Sequence, residues 1–230
     1  MKKSKNDARG LTLIELLVVI AIVAFFAAMI PVATPKDKAK ARRIGCTSNL
    51  KQVGLAFRIW TVDSYAGKFP MELSITNGGA MEALAAGDLV AVFEVMSNEL
   101  NAPKILYCPA DNSDRGRATH FGRNPLTNNN YASIPFTSNS NITYFVGMDA
   151  SKNSSQLFLT GDDNLLIGSA PVKSGVLSLA ANSDVSWSKT RHDKSGNVGL
   201  ADGSVQGFSS TALKAALKDT GLAINRLAMP

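Results

Sequence analysis

The chain has 230 residues, 45% hydrophobic and 18% charged, the proportions of a globular domain of ordinary size plus one apolar element. Its formal charge of +6 is unevenly placed: residues 1–10 carry net +3 (Lys2, Lys3, Lys5 and Arg9 against Asp7), residues 36–58 carry +6, and residues 59–230 carry −2. The globular part therefore has no basic footprint for nucleic acid, and two cysteines with two histidines make no close-spaced metal motif.

The first element is apolar. From Leu16 to Ala33 there is no charged residue, an 18-residue run at the lower edge of a membrane-spanning helix. A secretory signal cut near Ala33 and a plain uncleaved anchor both fit the run, and the basic residues flanking each side do not set its orientation. Glu15 fits neither reading. A carboxylate at the centre of a spanning helix costs about 2.5–3.5 kcal/mol, and such residues are usually functional. A cut between Gly10 and Leu11 would create an α-amine four residues before Glu15, on the same helix face. That amine, or the amine of a neighbouring copy, would neutralise the carboxylate in an apolar setting. A buried charge of this kind favours the one packing register that pairs it.

Gly10 followed by LTLIELLVVIAIVAFFAAMIP resembles the class III prepilin signature of type IV pilins and type II secretion pseudopilins. The resemblance implies cleavage after Gly10 by an inner-membrane prepilin peptidase and N-methylation of Leu11. It also implies that Glu15 directs addition of subunits to a filament. Leu11 stands where Phe is more usual, and Pro31 lies one residue earlier than is typical. The partners implied are the peptidase and N-methyltransferase, other pilin-like subunits and an inner-membrane assembly machinery. The location implied is a single-pass bacterial inner-membrane protein with its head outside the cytoplasm. The expected divisions are a leader over residues 1–10, a transmembrane or filament-core helix over 11–33, its amphipathic continuation over 34–60, and a globular head over 61–230.

Pro31 and Pro35 interrupt the helical pattern and predict a kink or local melt. Helical periodicity resumes with Cys46, Leu50, Val53, Phe57 and Trp60, an apolar stripe expected to pack on the head's own sheet. Ile44 and Leu55 form a thinner second face suited to neighbouring subunits. A helix from Leu11 to Trp60 would span about 75 Å. The run KDKAKARR at 36–43 reads as a solvated face at the membrane exit, with contact to anionic headgroups or acidic neighbours as the alternative.

CTSNLKQVGLAFRIW at 46–60 and ILYCPAD at 105–111 carry a second resemblance, to a bacterial subgroup of prepilin-like proteins ending in His, nine residues, then Asp-Gly. Here His192 precedes Asp202-Gly203 by nine intervening residues. The resemblance assigns these residues no role. Physically the segment reads as a hairpin: a turn at Ser195-Gly196, a strand through Val198 and Leu200, a tight turn at Asp202-Gly203 and a return strand from Val205. His192 is expected to hydrogen-bond that tight turn. No resident cofactor is expected; a calcium site on Asp162, Asp163 or Asp202 is the alternative, against a plain hairpin turn at GDDNLL (161–166).

Residues 62–104 read as helical segments broken near Gly87, residues 112–141 as a long Asn- and Ser-rich loop, and STALKAALKDTG as a short helix capped by Ser209 or Ser210 and stopped by Gly221. Cys46 and Cys108 read either as two buried thiols or as a disulfide tying the helix to the head. The fold expected is α+β, a pilin-like N-terminal helix packed on an antiparallel sheet. The function expected is a filament subunit rather than an enzyme. The rivals are a minor or tip subunit that contacts ligand or secreted cargo, and a secreted or anchored enzyme using His192 and Asp202.

Overall fold

The computed structural model describes residues 12–28, 34–63, 67–122 and 133–230. It divides into two units, Met1–Lys38 and Ala39–Pro230. Gly10, Leu11 and Pro31 lie outside the described residues.

In the first unit, α1 (Leu13–Ala28) is apolar on every side and none of its residues is buried. Leu13 is 81% exposed and Phe26 63%. The helix opens with a reciprocal box. Thr12 donates its N–H and its hydroxyl to Glu15 Oε2, each at 2.8 Å, and the Glu15 N–H returns to Thr12 Oγ1 at 3.3 Å. Sixteen residues rise about 24 Å, short of a hydrocarbon core of about 30 Å. Among the described residues no helix is long and apolar enough to cross a membrane. The apolar run continues beyond Ala28 into residues outside the description.

Pro35 begins α2 (Pro35–Asp63) rather than interrupting a helix. At the first helical position its missing N–H leaves no gap in the hydrogen-bond ladder. Thr34 and Asp37 repeat the box seen in α1. The Thr34 hydroxyl, then its N–H, hold the Asp37 carboxyl below its ordinary value. The helix runs three residues past Trp60, its expected end.

In the second unit the expected stripe is the buried face of α2: Cys46, Leu50, Val53 and Phe57 are wholly buried and Trp60 nearly so. Ile44 and Leu55 are exposed, as their place off the stripe requires. Short helices α3 (Met81–Ala85), α4 (Leu89–Val95) and α5 (Ser97–Leu100) follow, with the expected break at Gly87 (φ 86°) and Asp88 capping α4. Strands β1 (His120–Phe121) and β2 (Pro135–Phe136) pair in parallel inside the stretch expected to be loop. Phe136 is buried there, so this segment contributes to the core.

The remaining strands are β3 (Tyr144–Gly147), β4 (Phe158–Asp162), β5 (Leu165–Ile167), β6 (Ala170–Pro171), β7 (Gly175–Ala180), β8 (Val185–Trp187), β9 (Ser195–Leu200), β10 (Val205–Ser209) and β11 (Ile224–Met229). Among the described residues a six-stranded antiparallel sheet runs β10-β9-β4-β3-β11-β7, and a smaller sheet runs β6-β5-β8. Side chains alternate across the large sheet. Val146 joins the core of Val53, Phe57, Leu84 and Phe93 on the α2 side. Phe145, Val198 and Leu200 join Trp187, Leu213 and Leu217 on the other side, beneath α6 (Ser210–Asp219). Ser209 caps α6 through the Ala212 N–H, and Gly221 follows it with φ 72°, as expected. Gly196 allows the two sheets to close: a Trp187 ring carbon lies 2.5 Å from where a Cβ there would stand.

Three local expectations are corrected. GDDNLL does not turn a hairpin, because β4 and β5 belong to different sheets and the chain crosses between layers there. Ser195-Gly196 is strand; the turn before it is made by Asp193 (φ 48°) and Lys194 (φ 59°). The C-terminal segment, given no strand by the pattern, is β11 in the body of the sheet between β3 and β7.

Candidate functional site

The three signature stretches converge on one face of α2. Cys46 and Cys108 are joined in a disulfide with Cα atoms 4.9 Å apart, so the pairing alternative describes the structure. The helix adds side-chain ties around that bond. Asn49 Nδ2 donates to the Tyr107 carbonyl at 3.0 Å, and Thr47 Oγ1 donates to Asn197 Oδ1 at 3.2 Å. Leu50 packs with Cys46, Cys108, Ala110 and Tyr144 in a small core of its own. Burial, with Asp162 next in effect, pushes the Tyr144 phenol well above its ordinary value, so it stays protonated.

The β9–β10 hairpin lies along the same helix. At one end Thr47 meets Asn197 of β9. At the other, Arg58 Nη1 donates to the Asp202 carbonyl. There Gly203, at φ 87°, brings its backbone beside Gly54, where an added Cβ would stand 3.7 Å from Gly203 Cα. A side chain on Gly203 would meet Arg58 Cδ at 3.0 Å. The nine-residue spacing follows from geometry. The helix from Cys46 to Arg58 rises about 18 Å, and six residues of β9 extend about 20 Å. His192 therefore sits by the disulfide while Asp202-Gly203 docks one helix segment further on.

His192 does not reach the Asp202-Gly203 turn as expected. The left-handed pair Asp193-Lys194 turns the chain so that its ring points inward, where Nε2 lies 3.5 Å from Cys108 Sγ and 3.3 Å from Asp162 Oδ2. Both side chains are buried. Asp162 Oδ2 also accepts from the Asn197 N–H at 2.7 Å and from Asn197 Nδ2 at 2.9 Å. Its Oδ1 is buried and has no hydrogen-bond partner among the described residues.

Beside this pair lies a charged cluster. Arg191 bridges Asp111 at 3.0 Å and Asp163 at 2.5 Å, and donates to the Thr143 carbonyl. Arg115 pairs with Asp163 from the other side. Burial lifts the Asp163 carboxyl above its ordinary value even though both guanidiniums pull it down. Burial alone would lower Arg191, but Asp163, Asp111 and Asp162 together raise it. The cluster lines a cavity of about 490 Å³ together with Leu166, Pro171 and Val172.

Asp162, Asp163 and Asp202 do not converge. Asp163 is occupied by two arginines, and Asp202 caps its own turn by accepting the Ser204 N–H at 2.8 Å. His192 and Asp202 sit at opposite ends of β9, so the pair considered for catalysis is not assembled. Asp111, Asp162, Arg191 and Asn197 were not singled out as one cluster by sequence reasoning. The signals for them were Asp111 closing ILYCPAD and Arg191 directly preceding His192.

Residues 5–31 match the family described as the prokaryotic N-terminal methylation motif. Comparison of the chain with curated proteins and with solved structures finds no match. The matched segment covers Gly10, Leu11, Glu15 and Pro31.

Proposed function

We propose that this chain is a prepilin-like subunit, cut after Gly10, N-methylated on Leu11, and polymerised into a type II secretion pseudopilus or a type IV pilus-like filament. The observation that carries this reading is the methylation motif running directly into α1, a helix apolar on all sides with no buried residue and Glu15 as its single charge. Such a helix needs an apolar partner. Before assembly the inner membrane supplies it; afterwards the helices of neighbouring subunits do. The head lies outside the cytoplasm, which suits a disulfide. It acts in assembly rather than in turnover: His192 is buried against a disulfide sulfur and a carboxylate.

The Thr12–Glu15 box adds a competing role for Glu15, since a capping glutamate needs no charge partner. The two roles separate experimentally. Mass analysis of the mature protein should find N-methyl-Leu11 as the first residue. Glu15→Ala should be cut normally and assemble poorly. Glu15→Gln keeps the cap and removes the charge, so it should assemble as poorly as Glu15→Ala. Normal polymerisation of Glu15→Gln would reject charge pairing, and a mature chain beginning elsewhere would reject the filament reading itself.

A further inference from the structure

The geometry points to a second state of the clamp: with the Cys46–Cys108 bond reduced, Cys46, Cys108, His192 and Asp162 form a tetrahedral binding site for a zinc-class divalent cation. The donor atoms of Cys46, Cys108 and His192 lie within 4.8 Å of one another, and all three residues are buried. Zinc binds thiolate at about 2.3 Å and imidazole or carboxylate at about 2.0–2.2 Å. In a tetrahedron those bonds set a sulfur–nitrogen edge of about 3.5 Å and a nitrogen–oxygen edge of about 3.4 Å. The structure already has Cys108 Sγ to His192 Nε2 at 3.5 Å and His192 Nε2 to Asp162 Oδ2 at 3.3 Å. Two changes complete the tetrahedron: cleavage of the bond opens the sulfur–sulfur edge, and the Asp162 carboxylate, which lies outside the 4.8 Å group of the other three donors, closes on the sulfurs from its place beside His192.

A separate observation points the same way. Asp162 Oδ1 is fully buried with no hydrogen-bond partner among the described residues. Its carboxylate is oriented by two bonds from Asn197, the kind of outer support that holds a metal-binding carboxylate in place. A buried carboxylate with one unsatisfied oxygen lacks a partner. A cation held at Oδ2, the oxygen that faces His192, neutralises that buried carboxylate.

The chemistry balances with a dithiol as reductant. The dithiol gives two electrons and two protons to the Cys46–Cys108 bond and becomes a disulfide itself. The cation then displaces the two thiol protons to solvent and binds two thiolates, the neutral imidazole through Nε2, and the Asp162 carboxylate. Helix α2 is thus tied to the head at the same point by a cross-link or by a metal.

The test uses the full-length chain in detergent micelles, reduced with a water-soluble phosphine that does not hold zinc, with far-UV circular dichroism followed in parallel. The reduced chain should bind one Zn²⁺ per molecule and the oxidised chain none. Co²⁺ in place of zinc should give the intense visible bands of a tetrahedral site and charge-transfer absorption for two thiolates. His192→Ala should weaken zinc binding by about 100-fold or more and Asp162→Asn by at least about tenfold. No zinc bound by reduced wild type, whether folded or unfolded, overturns the proposal. So does an octahedral cobalt spectrum, which needs no variant to fold, or zinc affinity unchanged in both variants.

Discussion

Asp163 is the residue whose environment most directly sets a pH dependence. It is buried between Arg115 and Arg191, and burial outweighs the two guanidiniums so that its folded value lies above the ordinary carboxylate range. For such a group the folded state holds the proton more tightly than the unfolded chain. Its contribution to stability is therefore fully present below the ordinary value of 3.8 and is lost as pH rises through the folded value. Asp163→Asn cannot titrate. Denaturation midpoints of both proteins, measured from below pH 4 upward, should show wild type losing ground to the variant across that window. A difference that stays flat with pH would show that burial does not dominate at this site.

At the scale of elements, α2 is two-faced in its energetics. Phe57 is wholly buried and meets Phe69 and Phe93 edge-on, with ring centroids 5.7 and 6.2 Å away. Leu55, two residues away, is 56% exposed. Phe57→Ala should destabilise the head by about 3–5 kcal/mol, the range for a buried aromatic cut to a methyl. Leu55→Ala should change stability by less than about 0.5 kcal/mol. Urea titration with an unchanged slope checks both. The disulfide closes a loop with a sequence separation of 62, which in the chain-entropy account is worth at most about 4 kcal/mol. Its place at Cys46, with Asn49 and Thr47 tied nearby, concentrates that restraint where the hairpin and ILYCPAD meet the helix.

For the molecule as a whole, the exposed apolar surface of α1 predicts membrane partitioning. Vesicles of neutral phosphatidylcholine remove any pull on the basic run at 36–43, which acts through anionic lipid. The full-length chain should sediment with such vesicles, and a chain beginning at Thr34 should stay in the supernatant. A full-length chain that stays behind in the supernatant would mean that α1 is not a membrane-seeking element.

By itself the sequence determined what depends on neighbours a few residues apart. The stripe from Cys46 to Trp60 was legible because a helix repeats every 3.6 residues, and Gly87, Ser209, Asp202-Gly203 and Gly221 were legible because turns and caps are chosen locally. The methylation motif was legible because it is continuous. The turn ahead of β9 was misplaced by two residues because it needs Lys194 beside Asp193 in left-handed conformations, which Asp tolerates but Lys does not advertise. Only the tertiary structure decided that Asp162 meets His192 across the β4–β9 pairing, that Arg191 joins Asp111 to Asp163, and that β11 lies within the sheet. Those contacts join residues far apart along the chain, and no local preference encodes them. They exist because burying both faces of one sheet leaves a single register in which the polar side chains between the layers find partners.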